Sequence, residues 1–202
     1  MKRNHFMQLF VIYLRYLIGF AFIFASIVKI QGLRFTTESG AENPIDTSWH
    51  FFETLYASGL YWRFLGWAQF ITGALLVTQR LAKLGAVLFL PVIANVFVIT
   101  ISYDFHGTPV ITGLMLLSTL FLLYWDKDSL KVLWNSTPSI TAKRTLENDI
   151  LWVHLGFIFI VVTIFSKLFL EREKILLGFL AIFILGIFGL FKGLRRRKMY
   201  MD

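Results

Sequence analysis

The chain has 202 residues, of which 57% are hydrophobic, 17% aromatic and 16% charged, more apolar and less charged than an ordinary soluble domain. It has no cysteine, which excludes a disulfide, a thiolate nucleophile, a CxxC redox pair and any cysteine-held zinc or iron–sulfur cluster. Its net charge of +8 lies beside long apolar runs and not on one polar face, which excludes nucleic acid as the partner of that charge.

The apolar residues fall in runs of roughly 20, the length of helix that crosses about 30 Å of hydrocarbon. Six spans are predicted, at residues 8–30, 60–79, 82–103, 108–125, 150–170 and 175–192, so the fold class is all-α, a polytopic transmembrane helical bundle. The first span follows Lys2, Arg3 and His5 with no small-residue cleavage site before the next polar stretch, and reads as a retained helix. Between the first and second spans, the segment 31–59 divides in two. Its first half is polar and acidic (Glu38, Glu42, Pro44, Asp46), and Trp49-His50-Phe51-Phe52-Glu53-Thr54-Leu55-Tyr56 is aromatic. That pattern predicts a loop and then a short interfacial helix roofing the bundle. The second and third spans form a tight hairpin through Thr78 to Lys83, and Gly107 and Pro109 break and restart the chain between the third and fourth.

A connection at 127–149, with Pro138 and several Ser and Thr, divides a four-helix part, 1–126, from a C-terminal hairpin with a basic tail, 150–202. Its Asn135-Ser136-Thr137 matches a glycosylation sequon but precedes Pro138 and falls on the basic side, so it is read as incidental. An even number of spans puts both termini on one side. Thirteen Lys and Arg lie on that side and three, Arg34, Arg172 and Lys174, on the other, which predicts cytoplasmic termini.

Ionisable and amide residues inside spans are costly, and each is therefore a functional candidate. Lys29 and Arg63 stand near the outer ends of the first two spans, where they either snorkel, pair with Asp104 and Glu53, or line an outer ligand pocket. Arg15 lies about 10 Å deep from the start of its span. Gln69 and Asn95 stand within the second and third spans and need partners in lipid, which predicts that they face each other or Arg15. With Thr72 and Tyr103 they would form a polar seam lining a cavity for the headgroup of a quinone or lipid. His106 and His154 fall on opposite sides of the bilayer and cannot share a haem. His50 and His106, with Asp104 and Glu53, lack the spacing of a metal motif, and no metal site is assigned. In the last span Gly178, Gly186, Gly189 and Gly193 form one stripe, a packing face for the fifth span or for a partner subunit.

The order Arg15, Gly19, Phe22, Ala25-Ser26 and Lys29 in the first span resembles the opening signature of the DoxX-like family. Leu65-Gly66-Trp67-Ala68-Gln69-Phe70-Ile71-Thr72-Gly73 and the basic turn Gln79-Arg80-Leu81-Ala82-Lys83-Leu84-Gly85 are similar to that family's second helix, turn and third helix. The resemblance covers about residues 8–126. DoxX-like proteins commonly carry Glu where Gln69 stands, which removes a titrating carboxylate, and usually stop after four helices.

The resemblance implies a bacterial inner-membrane protein, a membrane partner of redox enzymes. The expected function is a subunit that assembles or anchors a larger membrane complex. Its partners would be membrane lipid and other membrane subunits, with no intrinsic cofactor and a quinone or lipid as ligand. The alternative is a quinone-linked oxidoreductase subunit that depends on a partner's redox centre. No Ser-His-Asp arrangement, phosphate loop or paired catalytic carboxylates can be picked out. The ligand-binding candidates are Arg15, Lys29, Arg63, Gln69, Asn95, Tyr103, Asp104 and His106. A transporter is disfavoured because the spans show no inverted repeat.

Overall fold

A computed structural model describes residues 4–36, 38–103, 105–134, 145–171 and 174–196. The described residues are helices and turns, with no strand among them. Asn4 opens α1 (His5–Ile30), its side-chain oxygen accepting from the Phe6 N–H. There follow α2 (Ser48–Ala57), α3 (Leu60–Val77), α4 (Ala82–Ser102), α5 (Thr108–Trp125), the one-turn α6 (Lys127–Leu130), α7 (Ile150–Phe169) and α8 (Ile175–Arg195). Short 3-10 turns at Lys131–Trp134 and Leu146–Asn148 lie between α6 and α7.

Six long helices therefore stand where six spans are expected. Five of them, α1, α4, α5, α7 and α8, are long and apolar enough to cross a membrane. The exception is α3, whose 18 residues include Arg63, Gln69, Tyr61, Trp62 and Trp67. The roofing helix begins at Thr47, whose hydroxyl accepts from the His50 N–H. The Asn135-Ser136-Thr137 motif, Asp104 and the tail beyond Arg196 lie outside the described residues.

α1 is the centre of the bundle. One face joins Val11, Ile18 and Phe22 to Leu76, Ala86, Phe89, Ile93, Leu122 and Trp125 of α3, α4 and α5. Another joins Leu9, Ile12, Tyr16 and Ile23 to Val77, Leu146, Trp152, Leu155 and Phe159. The C-terminal hairpin is thus packed on α1 and the end of α3.

Small residues permit these crossings, as expected where lipid supplies no hydrophobic drive and helices gain by close approach. A β-carbon on Gly19 would stand 2.6 Å from the Gly73 carbonyl, and one on Gly156 would fall on the Val77 carbonyl. α4 and α5 are pinned by Thr100 and Thr112, whose buried hydroxyls lie 2.9 Å apart. The start of α1 and the end of α8 lie at one end of the bundle, the terminal end, because His5 Nε2 donates to the Gly193 carbonyl (3.0 Å).

At the opposite end α2 forms the expected roof. Phe51 stacks on Tyr103 at 4.5 Å, and Phe52 meets Phe105 edge-on at 4.7 Å. Arg34 reaches over from the loop to Glu53 with two nitrogens, the closer at 2.7 Å, and the Gly40 N–H donates to the same carboxylate.

Candidate functional site

The charged and amide residues do not form one seam. At the terminal end Arg15, 3% exposed, is held by three side chains from three parts of the chain. Its Nη2 donates to Asp126 (2.7 Å) and lies 3.2 Å from Glu147, and its Nη1 donates to the Gln79 amide oxygen (3.3 Å). Gln79 sits in the left-handed region (φ 58°) in the α3–α4 turn, and its amide nitrogen donates to the Ile12 carbonyl (3.1 Å). A non-glycine residue persists in that conformation when its surroundings over-determine it, and the bonds to Arg15 and Ile12 do so.

Glu147 also accepts from the Trp125 indole (3.1 Å). The adjoining Leu146 is stitched at both backbone groups: its N–H donates to Gln8 (2.7 Å), and its carbonyl accepts from the Trp152 indole (2.9 Å). Asp149 caps α7 and pairs with Arg196. This cluster closes the terminal end and, Arg196 apart, is shielded from solvent. Its chemistry is that of a lock.

The polar seam expected from the sequence is corrected on three counts. Asn95 is exposed on the outer face of α4, and does not meet Gln69 or Arg15. Tyr103 belongs to the roof at the other end. Gln69 and Thr72 are buried in α3, where Thr72 bonds its own helix and the Gln69 amide oxygen has no partner among the described residues.

The expected pairing of Lys29 or Arg63 with Glu53 is corrected too, since Glu53 is taken by Arg34, while their pairing with Asp104 falls outside the described residues. Lys29 is buried, donates to the Ala25 carbonyl (3.0 Å), and lies over the rings of Phe35 and Trp62 at 4.8 and 5.2 Å. Among the described residues its ammonium is met by cation–π contact and not by a carboxylate. Arg63 is exposed and lies against Gly32, whose left-handed backbone (φ 69°) lets the chain turn over the guanidinium. His106 is exposed on the α4–α5 turn, and Asp104 is outside the described residues.

A site with room for a ligand lies elsewhere among the described residues, in a groove of about 420 Å³ between α1, α7 and α8. Its walls include Tyr13, Tyr16 and Phe20 of α1, Phe159 of α7, and Phe183 and Gly186 of α8. The glycine stripe explains it. A β-carbon on Gly178 would collide with Ser166, and one on Gly189 or Gly193 would crowd Leu155, Trp152 and Leu9, so α8 is drawn in at both ends. At Gly186 the nearest atom to an added β-carbon is Tyr13, 4.0 Å away, so the helices stand apart there. Three of the four glycines thus pack within the chain, and the fourth faces the groove.

Both tyrosine hydroxyls are engaged. Tyr13 donates to the Gly186 carbonyl (2.6 Å) and Tyr16 to the Trp152 carbonyl (2.5 Å), leaving a wall that is almost wholly hydrocarbon. Neither Gly186 as an opening nor the pairing of Arg15 with Asp126 and Glu147 was legible in the sequence. The available signal was that Asp126 and Glu147 flank spans at the end where Arg15 enters.

No family model matches the chain, and no solved structure matches it. An uncharacterized protein of Bacillus subtilis (strain 168), YwoB, is 29% identical over 101 residues, which are 50% of this chain and 63% of that protein. The match therefore covers less than two thirds of the relative's length.

Proposed function

We propose that the chain is an integral membrane subunit of DoxX-like type, in which the groove between α1, α7 and α8 takes the apolar tail of a lipid or quinone. It would assemble or anchor a larger complex in a bacterial inner membrane, with six spans and cytoplasmic termini. The groove carries this reading. Its volume falls in the range of ligand pockets, about 300–1,000 Å³. Its lining suits hydrocarbon, and it lies on helices long and apolar enough to sit in a membrane. The thirteen-to-three distribution of basic residues supports the orientation. The similarity to a Bacillus subtilis protein supports a bacterial setting.

The test is extraction and mass spectrometry of protein purified in mild detergent, native against Gly186→Phe. The new ring has space in the groove and would occupy it. The native chain is expected to retain a lipid or quinone at about one per molecule, and the variant at least tenfold less with unchanged melting. Equal retention by both, or none by the native chain, would sink the reading. A retained quinone in place of a lipid would favour the oxidoreductase alternative, with a co-purifying partner supplying the redox centre.

A further inference from the structure

One face of α4 is left exposed by the described residues, and it is patterned. Leu84, Leu88, Pro91, Asn95, Val98 and Ser102 are all exposed, and steps of four and three residues alternate through them. This spacing keeps them on one side of the helix, along the line a second helix would follow. The opposite face, with Gly85, Ala86, Phe89, Ile93 and Thr100, is buried and serves α3 and α5.

Asn95 is out of place on a surface facing lipid. It lies thirteen residues from Ala82, about 20 Å along the helix, and about 10 Å from Ser102. Its amide has two donor hydrogens and an acceptor oxygen, and makes no hydrogen bond to any described residue. In hydrocarbon no water completes those bonds, and a polar group on a second polypeptide would.

We propose that this stripe is the contact between two copies of the chain, packed parallel about a two-fold axis with the two Asn95 amides bonded to each other. The primary amide is its own complement, donating and accepting at once. A second copy inserted with the same orientation carries its Asn95 at the same depth without further adjustment, and a two-fold contact places like residues together. Leu84 and Leu88 on one side of Asn95, and Val98 on the other, would close the seam above and below the amides. The groove and the stripe share no residue, so this inference stands apart from the ligand reading.

The absence of cysteine makes the test direct. Single cysteines are placed at Leu88 and Val98 on the stripe, and at the exposed Leu117 of α5 and Leu177 of α8 as controls, and whole membranes are oxidised. L88C and V98C are expected to give a product of twice the chain mass, and L117C and L177C are not. Combining L88C with Asn95→Leu is expected to lower the dimer fraction roughly threefold to tenfold, whereas Asn95→Gln retains it. Asn95→Ala serves if the leucine variant does not yield folded protein. Equal cross-linking at the control positions, a yield indifferent to Asn95, no product, or a product of another mass from a different partner would each overturn the proposal.

Discussion

Arg15 is the residue on which the terminal end depends. It stands ten residues into α1, about 15 Å along the axis, where an unpaired guanidinium would be expensive. It is not unpaired, because Asp126 and Glu147 arrive from positions 111 and 132 residues later in the chain. Removing one member of a buried ionic cluster leaves the remaining charges desolvated, typically at a cost of about 3–5 kcal/mol. Arg15→Met is therefore expected to destabilise the protein by about that much in a detergent unfolding titration. Arg15→Lys should cost less, since it keeps the charge but not the fork that reaches Asp126 and Gln79 together. If Arg15→Met unfolds with the native midpoint, the lock is not structural. The importance of Arg15 was legible from the sequence, because a cation within an apolar run needs an explanation. Its partners were not, since periodicity reports which face of a helix is apolar and says nothing of which distant loop closes over it. The 127–149 connection reads as a linker by composition, yet Glu147 is 6% exposed.

At the scale of elements, most helices were legible, because a run of about 20 apolar residues has few alternatives to a spanning helix. α2 was legible through its aromatic content, and the structure adds how it is fastened. Arg34, Gly40 and Glu53 form a clasp in which the Arg34 hydrogen bond, with a smaller contribution from the Gly40 N–H, holds the Glu53 carboxyl below the usual carboxylate range. The same hydrogen bond holds the Arg34 guanidinium above its ordinary value, so within the clasp Glu53 is the group that titrates on acidification. A carboxyl depressed in the folded state stabilises above its unfolded pKa, and that contribution is lost as pH falls through the depressed value. Protection of the amides at Gly40 and along α2, taken against the intrinsic exchange rate at each pH, is expected to fall on acidification below the usual carboxylate range. Glu53→Gln should show low protection at every pH and no such transition. Protection in the native chain that does not change with pH would remove the clasp from the account. The α8 stripe was legible as a packing face, but its interruption at Gly186 was not. Spacing places four glycines on one side and cannot tell which of them touches a neighbour.

For the whole molecule, the composition that reads as four helices plus an added hairpin folds around a shared core. Tyr16 of α1 donates to the Trp152 carbonyl of α7, Gly156 of α7 rests on the Val77 carbonyl of α3, and Trp152 and Leu155 lie in one cluster with Leu9, Ile12 and Val77. The groove itself needs both parts, since its walls come from α1, α7 and α8. A chain ended after residue 134 would expose Leu9, Tyr16 and Val77 and strip Glu147 from Arg15. Such a fragment is expected to melt well below the full chain in the same detergent and to lose the retained lipid or quinone. Co-expression with a second fragment of residues 145–202 should restore both, because every contact that joins the halves among the described residues is non-covalent. Size-exclusion chromatography of the co-expressed pair, followed by thermal melting, decides it. A four-helix fragment with the native melting temperature would show that the hairpin is only an appendage, and the groove would then be an accident of where α8 comes to rest.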